Sequence, residues 1–271
     1  MRKLVLLAFL LLCVACTGCM NIETTLTISE DGKVSMHKKF VAPPEGAAKI
    51  EELKNKFANN PDAKITPVTE ENVSGYEIDV KYPSIEAFAA EKFTFFSARE
   101  GKCAGIQQHK GLLCDTYNFD LIAEINPNLS PEEAEKMKSA ISAGFVNVSV
   151  KLPHSAEKTN SYPIDPAQKE LSWNLDIGLG EGKEVPVQFT FKIWHTTRIY
   201  IVLAIMIALF VAGINFNDKI KSAANEEIAA SITKKRNICF GLFVVLLIAF
   251  LFLGYAPVTF TPADTISQTI K

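Results

Sequence analysis

The sequence has few of the residues from which catalytic centres are usually assembled. Among its 271 residues are only four histidines, and none of them stands in a motif such as H-E-x-x-H. Segment 178–183, GLGEGK, resembles a phosphate-binding loop but has no Ser or Thr after its lysine. We interpret it as a hairpin turn between two strands. We expect a protein that is not an enzyme, with no catalytic residue, no metal and no cofactor.

An excess of basic residues is also missing. The chain has 28 Lys and Arg against 30 Asp and Glu, which gives a formal net charge of −2. It also has no basic stripe with interleaved aromatic residues, the usual pattern of a nucleic-acid surface. We therefore expect no nucleic-acid partner.

The chain does have three apolar blocks, at 4–15, 199–214 and 238–257. The first follows Arg2 and Lys3 and is about twelve residues long, whereas a membrane-spanning helix needs about 20. A basic start, a short apolar core and a stretch of small residues are the three parts of an export signal. We therefore predict a signal peptide over 1–18.

The end of this signal, LLCVACTGCMN, contains two overlapping segments that are similar to a bacterial lipobox. In a lipobox, an apolar residue, a small residue and Gly or Ala precede the Cys whose thiol receives a lipid built on fatty acids such as palmitate. Neither segment has the usual Leu at its first position, but Thr17 and Gly18 fit the positions before Cys19. We predict lipidation at Cys19, with Cys16 as the alternative. Cleavage by a general signal peptidase, which would leave free cysteines, is the other interpretation.

The two later apolar blocks are predicted to be transmembrane helices over 198–216 and 238–257. Trp194, Arg198 and Tyr200 stand at the start of the first, as aromatic and basic residues do at a headgroup layer. The second block has no charged residue. A helical hairpin buried in a globular core is the alternative interpretation.

Loop charges predict the orientation of these helices. The connector 217–237 has more basic than acidic residues, whereas Lys271 is the only basic residue of the tail 258–271. Short positively charged loops stay in the cytoplasm. The connector is therefore predicted inside, and the main domain, 19–197, and the tail are predicted outside the plasma (inner) membrane, in agreement with an exported N-terminus.

The domain 19–197 is predicted to be α+β, with a mainly antiparallel sheet and two or three helices. Alternation of apolar and polar residues predicts a first strand over 22–28, and Glu30-Asp31-Gly32 predicts a hairpin turn after it. Apolar spacing predicts a helix over 46–59, and Ser130-Pro131 begins another. Further strands are predicted over 34–41, 63–68, 76–82, 114–125, 145–152, 170–177 and 185–194, with a short helix over 84–91.

Cys103 and Cys114 flank a second predicted hairpin, around 107–111. In an oxidising compartment they are candidates for a disulfide bond, which stabilises a short loop by roughly 2–3 kcal/mol. Free thiols are the alternative. A metal site that adds His109 is a third interpretation, but typical zinc spacing and a fourth ligand are missing.

Several short motifs resemble the bacterial LppM-type lipoprotein domain. They are Cys19-Met20 before the first strand, SEDGKV at 29–34, VKLPH at 150–154, Thr159-Asn160, and LSWNL at 171–175. The resemblance covers residues 16–215, and it implies an envelope lipoprotein whose α+β domain is similar to lipid-carrying folds. It also implies that the lipidated Cys directly precedes the first strand, and it supplies no catalytic residues. The second C-terminal helix and the cysteine pair are departures from the family pattern.

These features predict a non-enzymatic lipoprotein at the outer face of the plasma membrane whose main domain binds membrane lipids or glycolipids. The alternative is a scaffold or accessory subunit of a membrane transport or secretion complex, with integral membrane proteins as partners. An apolar cavity of several hundred Å³ inside the domain would favour the first function, and solid packing would favour the second.

Overall fold

The computed structural model describes residues 20–58, 60–70, 72–90, 96–97, 104–125, 130–142, 144–162, 165–261 and 264. The chain forms two compact units. The first comprises the described residues up to Gln108, Tyr117–Ile193 and the described residues from Thr261 onward, and the second comprises His109–Thr116 and Trp194–Phe260. The predicted α+β class, with antiparallel-rich sheets and two long apolar helices at the C-terminus, is confirmed.

The first unit contains a six-stranded sheet. Its strands are β1 (Asn21–Ile28), β2 (Val34–Ala42), β3 (Ala63–Glu70), β4 (Val73–Tyr82), β8 (Phe145–Lys151) and β10 (Glu170–Asn174). They lie in the order β10-β8-β1-β2-β4-β3. The pairing of β1 with β8 is parallel, and the other neighbouring pairs are antiparallel.

The hairpin predicted at the start of the domain is confirmed by β1 and β2. Ile22 and Leu26 are buried, as expected of a strand with one face on the core. In the turn, Ser29 N donates a hydrogen bond to Lys33 O at 3.0 Å. Gly32 has a φ of +79°, a left-handed conformation that glycine adopts without strain.

A second sheet has five strands. They are β5 (Phe96–Ser97), β6 (Gly105–Lys110), β7 (Cys114–Ala123), β9 (Lys158–Thr159) and β11 (Val185–Trp194). Their order is β5-β7-β11-β9, and β6 pairs with β7. Strands β5 and β9, of two residues each, are too short to show an alternating pattern in the sequence, and neither was predicted.

The two sheets contribute to one hydrophobic core in the first unit. Trp173 of β10 and Phe189 of β11 have ring centroids 5.7 Å apart. Phe119 stacks on Phe189 at 4.5 Å, and Tyr117 stacks on Phe191 at 5.5 Å. Aromatic rings at these distances are in contact, so they fill this part of the core.

A short 3-10 helix (Pro44–Gly46) and four α-helices accompany the sheets in the described part of the first unit. The α-helices are α1 (Ala47–Phe57), α2 (Ile85–Ala89), α3 (Pro131–Ser142) and α4 (Asp176–Gly180). The first three were predicted from the sequence, α1 by its apolar spacing and α3 by Ser130-Pro131 at its start. Ser84 is the N-cap of α2, since its Oγ accepts a hydrogen bond from Ala87 N at 3.2 Å.

The hairpin turn predicted for 178–183 is wrong. The strand predicted over 170–177 ends at Asn174, and α4 follows it. Strand β10 belongs to the first sheet and β11 to the second, so the segment between them connects two sheets. Leu175 and Leu179 are both 0% exposed, and Gly180 packs closely against Ser142 of α3. The helical turn buries these two leucines, and the chain leaves the first sheet there.

The second unit contains the helices α5 (Thr196–Lys221) and α6 (Glu226–Tyr255). With 26 and 30 residues, both are long and apolar enough to cross a membrane. Large apolar side chains face outward from both, including Ile207, which is 64% exposed, and Ile248, which is 61% exposed. The helices extend beyond the apolar blocks, so most of the connector is helical. The chain bends at 222–225, where Asn225 Oδ1 accepts a hydrogen bond from Ile228 N at 3.0 Å and begins α6.

Helices α5 and α6 pack against each other through a small residue and aromatic rings. Gly213 is buried, and a Cβ built on it would lie 2.8 Å from the ring of Phe240. Phe210 also contacts Phe240 and Phe243, with ring centroids 6.1 and 5.5 Å apart. A glycine at this position therefore lets the two helices approach closely.

Candidate functional site

A polar groove with a volume of about 340 Å³ opens on the second sheet. Successive residues of a strand point to opposite faces. In β7 and β11 the apolar residues of one face, such as Phe119 and Phe191, lie in the core, and the polar residues between them line the groove. The lining residues are Asn118 and Asp120 of β7, Gln188, Phe189 and Thr190 of β11, Lys158 and Thr159 of β9, and Asn160.

Hydrogen bonds hold the polar side chains of this groove in place. Gln188 Nε2 donates to Asp120 Oδ1 at 2.8 Å. Thr190 Oγ1 donates to Asn118 Oδ1 at 2.9 Å, and Asn118 Nδ2 donates to Gln107 Oε1 at 3.0 Å. Amide and carboxylate groups can make more than one hydrogen bond each. The groove therefore presents ordered donors and acceptors that can take part in further hydrogen bonds to a ligand.

Two residues of the sequence motifs, Asn160 and Trp173, meet at the edge of the groove. Trp173 Nε1 donates to Asn160 Oδ1 at 2.9 Å, and Gln188 N donates to the same oxygen at 2.8 Å. Asn160 Nδ2 donates in turn to Pro186 O at 3.0 Å. One asparagine side chain thus joins the core tryptophan of β10 to the backbone of β11.

A second cluster of polar contacts lies in the second unit, where α5 begins. His195 Nε2 is 3.0 Å from Asp115 Oδ1, and the same oxygen accepts a hydrogen bond from Gly111 N at 3.2 Å. His195 N donates to Leu113 O at 2.8 Å. These bonds hold the tip of the β6–β7 hairpin, residues 111–113, on the first turn of α5. Since Asp115 also closes the turn, the His–Asp pair has a structural role here.

The cysteines predicted as sites are Cys19 or Cys16 for a lipid and Cys103 and Cys114 for a disulfide bond. Cys16, Cys19 and Cys103 lie outside the described residues. Cys114 is 5% exposed at the start of β7, and Cys239 lies on α6. Lipidation at Cys19 or Cys16 and the pairing of Cys103 with Cys114 therefore stay predictions.

The histidines are dispersed. His37 of β2 lies 2.8 Å from Asp79 of β4 on the first sheet, His109 is exposed on β6, and none of the four histidines lines the groove. Within the described ranges, no group of three or more His, Cys, Asp or Glu residues could hold a metal ion.

Sequence reasoning missed the groove, although one signal for it was present. The strands 114–123 and 185–194 carry polar residues such as Asn118, Asp120 and Gln188 at alternating positions. Alternation shows that such residues share a face. It does not show that β7 and β11 are neighbours, or that β9 borders them, and the groove depends on both.

The fold and the site define this chain as a two-sheet α+β domain with a polar surface groove, joined to a pair of apolar helices long enough to cross a membrane. No protein-family model matches the sequence, and no curated protein matches it. Among solved structures, the NMR structure of the folded domain of LppM from Mycobacterium tuberculosis is similar. Its identity is 11%, it covers 67% of this chain and 94% of that domain, and the TM-score is 0.41.

Proposed function

We propose that the chain is a membrane-anchored envelope lipoprotein of the LppM-like type, without enzymatic activity. Its α+β domain faces the outside of the plasma membrane and binds the hydroxyl-rich headgroup of a glycolipid in the polar groove. The groove carries this proposal. A sugar hydroxyl both donates and accepts hydrogen bonds, and Asn118, Asp120, Gln188 and Thr190 offer both kinds of partner. A volume of about 340 Å³ falls within the usual range for small-molecule sites.

The hydrogen bonds among the lining side chains support binding at this place. Asp120 is held by Gln188, and Asn118 is held by Thr190 and Gln107. Side chains that are already ordered lose less conformational entropy when a ligand arrives. The groove is therefore prepared for a polar ligand without rearrangement of the sheet.

The proposal is tested by identifying the lipids that remain bound to the full-length protein. The protein is extracted from its own membrane in mild detergent, and co-purifying lipids are measured by mass spectrometry. We expect a glycolipid at a fixed ratio to protein. Gln188→Ala removes one amide from the groove, and one hydrogen bond contributes about 0.5–1.5 kcal/mol, so about 2- to 10-fold less glycolipid should remain.

Lys183→Ala provides the matched control, because Lys183 is exposed and does not line the groove. It should leave the glycolipid ratio unchanged. A lipid-free wild-type protein, or equal ratios in Gln188→Ala and Lys183→Ala, would overturn headgroup binding in the groove.

The lipid anchor is part of the same proposal. A membrane-crossing helix already anchors a protein effectively irreversibly, so the added effect of a lipid on Cys19 is to tether the first strand to the membrane as well. Metabolic labelling with an alkyne fatty acid should be lost in Cys19→Ala and retained in Cys16→Ala. The reverse pattern would move the site to Cys16, and a wild-type protein that takes up no label would remove the anchor from the account.

The aromatic packing of the core argues against a carrier that holds a lipid inside the domain. It leaves the scaffold as the alternative to binding in the surface groove. Phe119, Phe189 and Phe191 stack where the two sheets share their core, so a ligand is better accommodated in the surface groove. A scaffold for a membrane transport or secretion complex requires no ligand at all. A lipid-free protein in the extraction experiment is the result expected of it.

A further inference from the structure

The tip of the β6–β7 hairpin presents an apolar side chain to its surroundings. The tip contains two adjacent leucines with opposite environments: Leu113 is 1% exposed, whereas Leu112 is 57% exposed. Lys110, just before the turn, is also exposed. Leu113 is thus packed inside the turn, whereas Leu112 next to it and Lys110 two residues before it are exposed.

Helix α5 holds this tip at its own first turn. Arg198 Nη1 donates to Gly111 O at 3.4 Å and to Leu112 O at 3.3 Å. Arg198 is the third residue of α5, and the apolar run of that helix begins directly after it at Ile199. The backbone of Leu112 therefore lies at the level where α5 changes from polar to apolar.

Aromatic residues gather at the same end of the helix pair. The rings of Trp194, just before α5, and Tyr255, at the end of α6, have centroids 6.2 Å apart. Tyr255 is 72% exposed, and Tyr200 is 66% exposed. Trp, Tyr and Arg at the ends of membrane-crossing helices mark the headgroup layer. This end of the second unit therefore has the composition of a membrane interface.

We propose that Leu112 of the hairpin tip and Lys110, the last residue of β6, form a phospholipid-contact element. The Leu112 side chain enters the boundary between headgroups and acyl chains, and the Lys110 ammonium pairs with lipid phosphate. The inference rests on the proposed membrane crossing of α5 and α6, but it needs no ligand in the groove. An apolar residue next to a cation suits this boundary, where the leucine leaves water and the lysine remains near the headgroups.

The test places a photoreactive residue at three positions of the full-length chain. p-Benzoylphenylalanine replaces Leu112, Ile248 or Ile177 in separate samples reconstituted into vesicles of phosphatidylethanolamine and phosphatidylglycerol. Ile248, 61% exposed in the middle of the apolar part of α6, reports membrane crossing, and Ile177, 70% exposed on α4 of the first unit, is the matched control. After illumination, mass spectrometry should find lipid adducts at 112 and 248, and at least tenfold less at 177.

The three positions separate the possible failures. Adducts at 248 but not at 112 would overturn the contact element while membrane crossing stands. No adduct at 248 would overturn membrane crossing and, with it, the contact element. Equal adducts at 112 and 177 would show that contact with lipid is not specific to the tip, which also overturns the proposal.

The role of Lys110 has its own variant. Lys110→Glu places a negative charge beside anionic phosphatidylglycerol, and we expect it to lower the adduct yield at 112 several-fold while the yield at 248 is unchanged. An unchanged yield at 112 would overturn the lysine–phosphate contact.

Discussion

At the scale of single residues, a few side chains join parts of the first unit that are distant in the sequence. Asn160 is exposed, yet its Oδ1 accepts hydrogen bonds from both the Trp173 indole and the Gln188 backbone. The Asp165 carboxylate accepts hydrogen bonds from the backbone N–H groups of Ala167 and Lys169 in the loop before β10 and of Glu170, the first residue of β10. Each of these two side chains accepts more than one hydrogen bond. Removal of either side chain therefore leaves several N–H donors without their acceptor.

The first prediction concerns Asn160. Trp173 is 4% exposed, so Asn160→Ala leaves a buried indole N–H without its acceptor, at a cost of about 1–3 kcal/mol. Urea denaturation of the full-length protein in detergent, followed by tryptophan fluorescence, measures the free energy of unfolding. Asn174→Ala, at an exposed position next to Trp173, is the control and should change it by less than about 0.5 kcal/mol. Equal losses in both variants would contradict the assigned role of Asn160.

The second prediction concerns pH. Hydrogen bonds from the backbone N–H groups of Glu170, Ala167 and Lys169 lower the pKa of Asp165 below its usual value of 3.8. The folded state therefore binds a proton less readily than the unfolded state, so this carboxylate stabilises the fold above the unfolded pKa. That stability is lost as the pH falls through the lowered folded pKa.

Asp165→Asn should accordingly lower the stability at pH 7 and reduce the further loss between pH 5 and pH 2. Urea midpoints measured across this range test the expectation, with Asp62→Asn at an exposed aspartate as the control. An acid profile of Asp165→Asn that runs parallel to that of the wild type would contradict it.

Local residue roles were predictable from the sequence, whereas long-range roles were not. Gly32 forms part of the first turn, and Ser84 caps α2. Both roles involve residues only a few positions away, so the local sequence is enough to predict them. Asn160 and Asp120 act on partners in other strands. Their roles depend on which strands become neighbours, and a single sequence does not contain that order.

At the scale of elements, alternation predicted the long strands, apolar spacing predicted α1, and the capping signal Ser130-Pro131 predicted α3. Local patterns failed where tertiary burial decides the conformation. Strand β9 consists of two residues that pair with β11. Helix α4 forms where Leu175 and Leu179 are buried in the core. The strands lie in two sheets, because the chain passes to the second sheet at β5–β7, at β9 and at β11 and returns to the first at β8 and at β10.

The third prediction concerns the contact between α5 and α6. Gly213→Ile places a large side chain where even a Cβ would lie 2.8 Å from Phe240, and overpacking of this kind costs about 1–3 kcal/mol. We expect a lower thermal midpoint of the full-length protein in detergent. Gly241→Ile on α6 is the matched control, because a Cβ there has nothing within 4 Å. Equal midpoints for the two variants would contradict the close approach at Gly213.

At the scale of the whole molecule, the charged residues of the connector stabilise the helix ends and predict the orientation of the helices in the membrane. Lys219 and Lys221 lie in the last turn of α5, and Glu226 and Glu227 lie in the first turn of α6. Basic residues at a helix C-terminus and acidic residues at an N-terminus complement the helix dipole. The remaining basic cluster, 234–236, is on α6 just before its apolar part. Together with Lys219 and Lys221, this cluster gives the connector the excess of basic residues that predicts a cytoplasmic location.

The central claim is that α5 and α6 cross the membrane with the main domain outside and the bend between them inside. A membrane-impermeant maleimide, applied to spheroplasts, tests it with single added cysteines. Tyr162→Cys, at a side chain that is 80% exposed, should be labelled in intact spheroplasts above the background of the native cysteines. Ala224→Cys, in the bend, should be labelled only after the membrane is permeabilised. Labelling of Ala224→Cys in intact spheroplasts, or protection of Tyr162→Cys until permeabilisation, would contradict the account.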